Sequence, residues 1–401
     1  MTPPRIGLIG LGGYGAVHLQ HLRDFHQRGE LRLTAAVAFP PERDSVAVNG
    51  LQHEGCEVLP GFEELLAALP RLKLDLVVVP TPIHLHARMT IALVRAGVDV
   101  LVEKPVAATL AETAAITAAA QTAGRRGTVG FQYLHAPEVL ALKQRLLAGA
   151  IGPLRRLVVH AAWPRSHAYY TRNAWAGQLR LGEDWVLDSP VSNAMSHFLM
   201  VMLFLAGRDV MGLAQPARLG AELYRAQAIE SFDTAVVRME TADGVQLDFY
   251  GTHSSREVGR PSLRIVGATG EAEWVQDSQA RLTGAAGNWA QAAAPEADTR
   301  ERMLREVLAH RRGEAVFICT PEMAAAHVGC VAELHQRVTI TTIPAAHLAH
   351  QRVEGQNFTY VPGLDGQLAE AARHGRGLAE AGAVWAGPVP KLAAFASGPA
   401  D

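Results

Sequence analysis

The sequence predicts an α/β protein with an N-terminal doubly wound parallel sheet, followed by an α+β domain with a largely antiparallel open sheet. Two observations support this fold class. In the first third of the chain, short apolar runs alternate with segments of helical spacing, and after about residue 130 period-two strands are grouped together. With 401 residues, 49% of them hydrophobic, the chain is long enough to form two cores.

The first domain is predicted over residues 1–128. It opens with the buried-strand pattern "RIGLIG", the helical segment "AVHLQHLRDF" and the strand-like run "LRLTAAVAF". The same alternation continues to "GTVGFQY" near residue 130. Strands that alternate with helices in this way indicate right-handed βαβ units and a parallel sheet.

The second domain is predicted over residues 129–350. Its strand segments, among them "RRLVVHAAW", "TAVVRMET" and "VQLDFYGTH", favour an antiparallel sheet with helices on one face. Residues 351–401 are rich in Ala, Gly and Pro, and we expect them to form a peripheral tail. The helices predicted in this half of the chain lie at 137–148, 190–206 and 300–312.

Composition and charge exclude several classes of function. The chain has 37 basic and 39 acidic residues without a block of like charge, so we expect no nucleic-acid or membrane partner. Its three cysteines are far apart and form no CxxC pair, which argues against a disulfide framework and fits a reducing cytoplasm. The N-terminus lacks a signal-peptide pattern. A small molecule is the expected partner.

The stretch "GLGGYG" follows the first strand and precedes the first helix. Gly10, Gly12 and Gly15 have the G-x-G-x-x-G spacing, and Gly13 and Tyr14 lie in the same turn. In this context the first glycine permits the tight turn, the second lets a pyrophosphate approach the backbone, and the third allows close helix packing. The motif therefore predicts a dinucleotide site at the helix N-terminus.

The end of the second strand does not decide between NAD and NADP, which differ by a 2′-phosphate. An acid usually stands there to bind the ribose hydroxyls, but Phe39 takes that position. Glu42 or Asp44 could still reach the ribose, whereas Arg43 could pair with a 2′-phosphate or be a solvated surface charge. The sequence thus predicts NAD or NADP without choosing between them.

A second edge of the predicted sheet is marked by "VVVPTPIHLHA". Thr81, Pro82 and His84 follow a strand and should lie at its carboxyl end, where open α/β sheets bind ligands. His84 and His86 form an H-x-H pair, but a third ligand is missing, so no metal is predicted.

Four segments in this order resemble the glucose-fructose oxidoreductase, inositol dehydrogenase and MocA family. They are "GLGGYGAVHLQHL", "VVVPTPIHLHARMTIALVRAGVDVLVEKPVA", "GTVGFQY" and "LLAGAIGPLRRL", and the resemblance extends over about residues 5–345. It implies an N-terminal nucleotide-binding domain and a C-terminal domain whose open sheet forms the substrate site and often an oligomer interface. It also implies hydride transfer between NAD(P) and a hydroxyl or ketone of a sugar, cyclitol or related polyol.

The resemblance assigns a catalytic role to Lys104, within Glu103-Lys104-Pro105. Lysine is rare in this chain, with four residues among the 37 basic ones. A lysine at a sheet edge can donate a hydrogen bond to the substrate oxygen and relay its proton, because burial can lower its pKa whereas arginine stays charged. The alternative is a surface lysine that pairs with Glu103.

The partner groups come from the predicted helix 190–206, with Ser189 as its N-cap. In the family this helix usually carries Asp-x-Gly-x-His, so His197 matches the histidine and Asn193 stands where the aspartate is expected. Asparagine cannot take a proton. We therefore expect the proton path to use Lys104 and His197, and Asp188 could supply the missing carboxylate. The alternative for His197 is a core histidine.

The segment "WPRSHAYYTRNAWAG" is dense in aromatic, guanidinium and amide groups, which suit a polyhydroxylated ring. The alternative is ordinary packing. The predicted substrate residues are Tyr170, Arg172, Asn173, Trp175 and His253. The predicted cofactor-binding residues are Gly10, Gly12, Gly13, Tyr14, Gly15, Arg43, Thr81, Pro82, His84, His86, Glu103, Lys104 and Gln132.

Two other functions remain open from the sequence. A redox-neutral glycosidase or lyase would hold NAD tightly and oxidise its sugar only transiently, so that no net NADH forms. A nucleotide-binding protein that lacks catalysis would bind cofactor but turn over no polyol, and the missing aspartate permits it. From the family resemblance we expect a homo-oligomer through the C-terminal sheet.

Overall fold

The computed structural model describes residues 2–285 and 287–395, and the chain divides into two compact units. The first comprises Met1–Gly130 with Met303–Ala325, and the second comprises Phe131–Arg302 with Ala326–Asp401. The sequence predicts boundaries at 128 and 350, so it misses the return of residues 303–325 to the first unit. This return has a packing cause, because Met303 and Val307 are buried in the core of the first unit.

The first unit contains a six-stranded parallel sheet in the order β3-β2-β1-β4-β5-β6. The chain reverses its direction of winding between β1 and β4, which confirms the predicted doubly wound sheet, and sheets of this kind bind ligands at the carboxyl ends of their strands. The strands are β1 Arg5–Ile9, β2 Arg32–Val37, β3 Glu57–Leu59, β4 Leu76–Val79, β5 Asp99–Val102 and β6 Gly127–Val129. The helices are α1 Tyr14–Gln27, α2 Val46–His53, α3 Phe62–Leu72, α4 Ile83–Arg95 and α5 Leu110–Ala123.

The second unit is built on a large mixed sheet in the order β16-β15-β14-β13-β7-β12-β11-β10-β17, with β20 beside β10. Most neighbouring pairs are antiparallel, as predicted, whereas β12 with β7 and β10 with β17 are parallel. Its strands are β7 Leu154–Ala162, β10 Pro216–Arg225, β11 Thr234–Thr241, β12 Gln246–Thr252, β13 Gly259–Gly267, β14 Gly270–Val275, β15 Gln279–Gly284, β16 Gly287–Ala292, β17 Ile340–Thr342 and β20 Ala393–Ala394.

Two hairpins and several helices complete the chain. The hairpins are β8 Arg180–Leu181 with β9 Asp184–Trp185, and β18 Ala349–Val353 with β19 Gln356–Tyr360. The helices are α6 Pro137–Leu147, α7 His167–Thr171, α8 Ser196–Ala206, α9 Glu296–Arg311, α10 Pro321–Arg337 and α11 Leu364–His374. Within residues 2–285 and 287–395, no helix is both long and apolar enough to cross a membrane.

The predicted helix 190–206 is split in the structure. Pro190–Ala194 forms a π-helical turn, Met195 interrupts the helical conformation, and α8 then continues to Ala206. Ser189 caps the turn as predicted, because its hydroxyl accepts a hydrogen bond from the backbone N–H of Ser192 at 3.1 Å. The apolar sequence of α8 predicts burial on all sides, and residues 196–205 are all buried.

Lys143 secures the other end of α8. Its ammonium donates hydrogen bonds to the carbonyl oxygen of Phe204, at 2.6 Å, and to that of Gly207. A cation is favourable there because the last carbonyls of a helix carry partial negative charge. Burial lowers the pKa of Lys143 to about 8, so the lysine serves the fold rather than the surface.

The described part of residues 351–401 does not form the predicted peripheral tail. Its hairpin and α11 belong to the second unit, and one cluster of buried residues joins Leu364 and Leu368 of α11 to Tyr224, Val236 and Tyr250 of the sheet. The Ala- and Gly-rich composition hides these few apolar positions, which cover the apolar part of one sheet face. Residues 396–401 of the predicted tail lie outside the described residues.

We predict that Leu368→Ala lowers the free energy of unfolding by about 2–5 kcal/mol, because it opens a cavity under a fully buried leucine. Urea unfolding of the full chain measures the change. Arg373→Ala is the matched control, since Arg373 is exposed on the same helix and its ion pair with Glu370 is at the surface. That change should be below about 1 kcal/mol. Equal effects of the two substitutions would show that α11 is not part of the core.

Candidate active-site elements

The glycine-rich turn joins β1 to α1, which begins at Tyr14 immediately after Gly13. Gly10 has a φ of +86°, a conformation that side-chain-bearing residues rarely adopt. A Cβ on Gly15 would lie 2.4 Å from the carbonyl oxygen of Gly10, so the helix can approach the strand only with glycine at this position. The turn therefore has the tight bend and the close helix packing of a dinucleotide site.

Glu42 lies on this turn, although it comes three residues after the position where the acid is expected. One carboxylate oxygen accepts backbone N–H groups of Leu11 at 3.0 Å and Gly12 at 2.5 Å. The other accepts the N–H of Phe39 at 2.9 Å. The Phe39 ring packs on Gly10, 3.6 Å from where a Cβ would lie. An acid thus contacts the second glycine of the motif. Of the two acids that the sequence offers, Glu42 and Asp44, it is Glu42 that makes this contact.

Arg43 and Asp44 are exposed. The Arg43 guanidinium donates a hydrogen bond to the carbonyl oxygen of Pro60 at 3.0 Å, so it is held against the loop before α3. The second glycine thus has the carboxylate of Glu42 beside it, whereas the guanidinium of Arg43 binds the loop before α3.

The Glu103-Lys104-Pro105 turn follows β5 at the carboxyl edge of the sheet. Glu103 is buried, and its carboxylate accepts a hydrogen bond from His18 Nε2 at 2.8 Å and from the backbone N–H of Lys104 at 3.1 Å. A Cβ on Gly130 would lie 2.5 Å from this carboxylate, so glycine leaves the room that Glu103 occupies. Glu103 therefore fixes the backbone at Lys104. The sequence interpretation missed His18, although it lies one helical turn after the glycine motif.

His86 connects the same turn to the loop after β4. Its two ring nitrogens lie 2.7 Å from the carbonyl oxygens of Pro105 and Thr81. Burial lowers the pKa of His86, and the two carbonyl acceptors oppose that shift. Both nitrogens face carbonyl oxygens of the protein, so His86 has a structural role in this turn, and its contact with the cofactor stays a prediction.

The edge after β4 also presents an unpaired polar group. Thr81 is buried, and its hydroxyl has no hydrogen-bond partner within the described ranges 2–285 and 287–395. Pro82 precedes α4, which carries His84 in its first turn. Together with the glycine turn and the N-terminus of α1, these groups fit a bound dinucleotide along the carboxyl edge of the sheet.

In the second unit, His197 lies in the first turn of α8 and is 8% exposed. The rings of Phe131 and Tyr133 contact it edge-on, with centroid distances of 5.7 and 5.3 Å. The neighbouring Gln132 donates its amide N–H to Glu296 at 3.3 Å. The two aromatic rings thus orient the imidazole of His197, the predicted catalytic group.

Asn193 lies beside the carboxylate that the sequence offers as a substitute. Its side-chain amide donates a hydrogen bond to Asp188 Oδ1 at 2.8 Å, and Asp188 Oδ2 accepts the backbone N–H of Gly177 at 2.7 Å. The structure therefore brings an acid next to the position where the family has aspartate.

Four of the five predicted substrate residues lie close together in two pairs. The Tyr170 hydroxyl lies 3.2 Å from His253 Nδ1, and the Arg172 guanidinium lies 5.2 Å from the Trp175 ring. Asn173 differs, because its side-chain oxygen accepts the backbone N–H groups of Trp175 and Ala176, as in a turn. The sequence interpretation missed Arg165 and Tyr169, which lie in the same aromatic segment.

No group of three or more potential metal ligands occurs within the part of the chain that the structure describes. The three cysteines are unpaired and buried, and burial raises the pKa of Cys56 and Cys330 to about 12. These thiols are therefore protonated packing groups.

Two family models match the chain. The model of the oxidoreductase family with an NAD-binding Rossmann fold matches residues 4–131, and the model of the GFO/IDH/MocA C-terminal domain matches residues 139–273. The chain belongs to the Gfo/Idh/MocA oxidoreductase family. Its first unit is accordingly an NAD-binding Rossmann domain, and its cofactor is NAD or NADP.

Curated relatives of this Gfo/Idh/MocA protein include inositol 2-dehydrogenases. "Inositol 2-dehydrogenase 4" of Saccharopolyspora erythraea is 30% identical over 244 residues, which cover 60% of this chain and 64% of that protein. "Inositol 2-dehydrogenase" of Pseudomonas fluorescens is 28% identical over 288 residues, which cover 70% of this chain and 77% of that protein.

Solved structures share the fold. A levoglucosan dehydrogenase in complex with NADH and levoglucosan has a TM-score of 0.70 at 16% identity, covering 82% of this chain and 95% of that chain. The WlbA dehydrogenase of Bordetella pertussis, in complex with NADH and UDP-GlcNAcA, has a TM-score of 0.67 at 20% identity and covers 83% and 96%.

We predict different effects for substitutions at two glycines of the turn, because one should lower the affinity for NAD and the other should lower the stability of the fold. Gly12→Val should keep the fold and raise the dissociation constant of NAD about tenfold or more, because the new side chain meets only the flexible end of Glu42, 2.9 Å from its Cβ, and blocks the pyrophosphate. Gly15→Val should instead lower the stability by about 1–3 kcal/mol, because it meets the backbone. Calorimetry measures binding and thermal melting measures stability. Wild-type NAD affinity in Gly12→Val would contradict the assignment.

Proposed function

We propose that the protein is an NAD-dependent dehydrogenase that transfers a hydride between the nicotinamide and a secondary alcohol or ketone of a sugar, cyclitol or related polyol. The observation that carries the proposal is the Glu103-Lys104-Pro105 turn, which holds a lysine at the ligand edge of an NAD-binding unit. The names of the inositol 2-dehydrogenase relatives support the substrate class.

Oxidation of a secondary alcohol releases a hydride and a proton. When bound, the nicotinamide takes the hydride. In our proposal, Lys104 as a neutral amine accepts the proton of the substrate hydroxyl, and the ammonium so formed donates a hydrogen bond to the developing carbonyl oxygen, with His197 as the second titratable group. Asn193 orients the substrate, since its amide cannot take a proton near neutral pH. Asp188 holds that amide through the hydrogen bond at 2.8 Å.

We further propose that NAD is preferred over NADP. The Glu42 carboxylate contacts the second glycine of the turn, close to where the adenosine ribose of a dinucleotide lies. A carboxylate accepts hydrogen bonds from the ribose hydroxyls but repels a 2′-phosphate. Arg43, the one nearby cation among the predicted cofactor residues, is bound to Pro60.

We predict that Glu42→Ala weakens NAD binding and reduces the preference for NAD over NADP by about tenfold or more, because the repulsion of the 2′-phosphate disappears. Asp44→Ala is the matched control, since Asp44 is an exposed acid two residues away. Arg43→Ala should change both affinities equally. Fluorescence titration with NADH and NADPH measures each ratio. A selective loss of NADPH binding in Arg43→Ala would reassign the 2′ position to that arginine.

We predict that Lys104→Met reduces turnover roughly 10²- to 10⁴-fold and leaves NAD binding nearly unchanged, because a general acid-base group is lost. His197→Ala should reduce turnover similarly, whereas Asn193→Ala should mainly raise the KM of the substrate. Lys73→Met is the control, since Lys73 is an exposed lysine of the same unit. Single-turnover hydride transfer across pH measures each rate. Wild-type rates in Lys104→Met would exclude its catalytic role.

The same assay separates the dehydrogenase from the other two functions. A redox-neutral glycosidase or lyase forms product without net NADH, and a protein without catalysis binds NADH but converts none of a panel of polyols. Net NADH formation from any polyol supports the dehydrogenase.

Homo-oligomerisation through the sheet of the second unit stays a prediction. The C-terminal segment already covers the apolar part of one face. Val158 belongs to that covered cluster, and its cross-strand neighbour Arg264 on β13 begins a charged region of the same face. An interface on this charged region would bury ion pairs such as that of Arg264 with Glu271, whose side chains are 2.8 Å apart. Light scattering at low and high salt measures the association.

A further inference from the structure

Two arginines of the second unit contact one tyrosine ring. The guanidinium carbon of Arg172 lies 3.7 Å from the centre of the Tyr169 ring, and that of Arg165 lies 4.7 Å from the same centre. Within residues 2–285 and 287–395, neither guanidinium forms an ion pair with a carboxylate. Arg165 Nε is buried and has no hydrogen-bond partner there. Two like charges on one ring repel each other unless an anion joins them.

The two acids in this region have other hydrogen-bond partners. Asp188 accepts the backbone N–H of Gly177 and the side-chain amide of Asn193. Asp233 accepts two backbone N–H groups at 2.7 Å and the hydroxyl of Thr234 at 2.9 Å. These carboxylates affect the surrounding field, but they do not pair with the arginines. The Arg172 guanidinium donates one N–H to the carbonyl oxygen of Tyr169, and both guanidinium groups keep further donors for a ligand.

His253 gives a second, independent indication of a ligand. It is 3% exposed, and its Nδ1 lies 3.2 Å from the Tyr170 hydroxyl. Its Nε2, on the far side of the ring, is buried without a partner within the described ranges. Burial, together with Arg165 and Arg172, lowers the pKa of His253 well below its ordinary value, so the ring is neutral. When Tyr170 donates to Nδ1, Nε2 carries an unpaired N–H, which is costly to bury.

Backbone contacts hold these groups in one place. The N–H of Arg165 donates to the carbonyl oxygen of His253 at 3.0 Å, and the rings of Tyr169 and His253 are 5.9 Å apart. Two cations and a neutral donor thus converge around Tyr169. All three groups donate hydrogen bonds, so the ligand that suits them is rich in acceptor oxygens and negatively charged.

We propose that Arg165 and Arg172 bind an anionic group of the substrate, a carboxylate or a phosphate, with His253 as an uncharged donor beside it. The forked N–H groups of arginine match the paired oxygens of either group, and stacking on Tyr169 holds the fork in place. This subsite rests on the proposed function in one respect, namely that the anionic group is part of a sugar or cyclitol. The preferred substrate is then an acidic or phosphorylated sugar or cyclitol rather than a neutral polyol.

The test compares matched ligands on the NADH-loaded full chain by calorimetry. Glucose, galactose and myo-inositol are the neutral ligands, the two hexuronates test the carboxylate, and the three monophosphates test the phosphate. We expect at least one anionic ligand to bind about tenfold or more tightly than its neutral counterpart. Arg165→Met and Arg172→Met should each weaken binding of that anion roughly 10- to 100-fold and weaken binding of the neutral ligand far less. Added salt should weaken only the anion.

Arg180→Met is the matched control, because Arg180 stacks on Trp185 at 3.5 Å in the same unit and lies outside this group of residues. Its anion affinity should equal that of the wild type. If Arg165→Met fails to fold, Arg172→Met decides the test, since Arg172 is exposed. The subsite is wrong if no anion binds more tightly than its neutral counterpart, or if both arginine substitutions weaken the two ligand types equally.

Turnover of the same ligands separates this inference from the proposed function. Oxidation of neutral polyols without an anion preference rejects the subsite and keeps the dehydrogenase. Arginine-dependent binding of an anion, with no net NADH formed from any ligand, keeps the subsite and rejects the dehydrogenase.

Discussion

The buried hydrogen bond between His18 and Glu103 is the contact on which the candidate catalytic lysine depends. It fixes a carboxylate that also receives the backbone N–H of Lys104, and Gly130 leaves the room for it. His86 holds the other side of the same turn through two carbonyl oxygens. Removing one partner of such a buried polar pair typically costs about 3–5 kcal/mol when the other keeps its charge. The flexible lysine side chain therefore extends from a rigid backbone.

The C-terminal segment gives the second unit a comparable constraint. Ser166 forms a β-bridge with Phe358 of the last hairpin, and His167 Nε2 lies 2.9 Å from the hydroxyl of Thr359. These contacts begin the helix that carries Tyr169. The segment thus covers an apolar sheet face and also supports the loop that carries the arginines, so its packing and the proposed substrate residues are physically coupled.

Most of the architecture was predictable because its signals are local. Five strands of the first sheet lie in apolar runs of the sequence, whereas β3, Glu57–Leu59, is too short to show one. The turn at Gly10 and Gly15 depends on backbone conformation within a few residues. The helix carrying His197 was predicted with the correct N-cap but without its break at Met195, since a π-helical turn depends on the surroundings rather than on the sequence of one turn. The apolar residues of α11 were too sparse in an Ala- and Gly-rich segment to predict a covering helix.

The sequence by itself determined the fold class, the glycine turn and the position of Lys104, because helical and strand periodicity and the φ requirements of glycine act over short distances. Tertiary structure alone decided that Glu42 contacts the glycine turn, since the sequence has Phe39 at the position where an acid is expected. It also decided that Asp188 stands beside Asn193. These contacts depend on backbone paths between elements, and a charged side chain can reach its partner from several positions in the sequence. Periodicity therefore predicts where the strands run, and the folded chain selects which acids and cations meet at their ends.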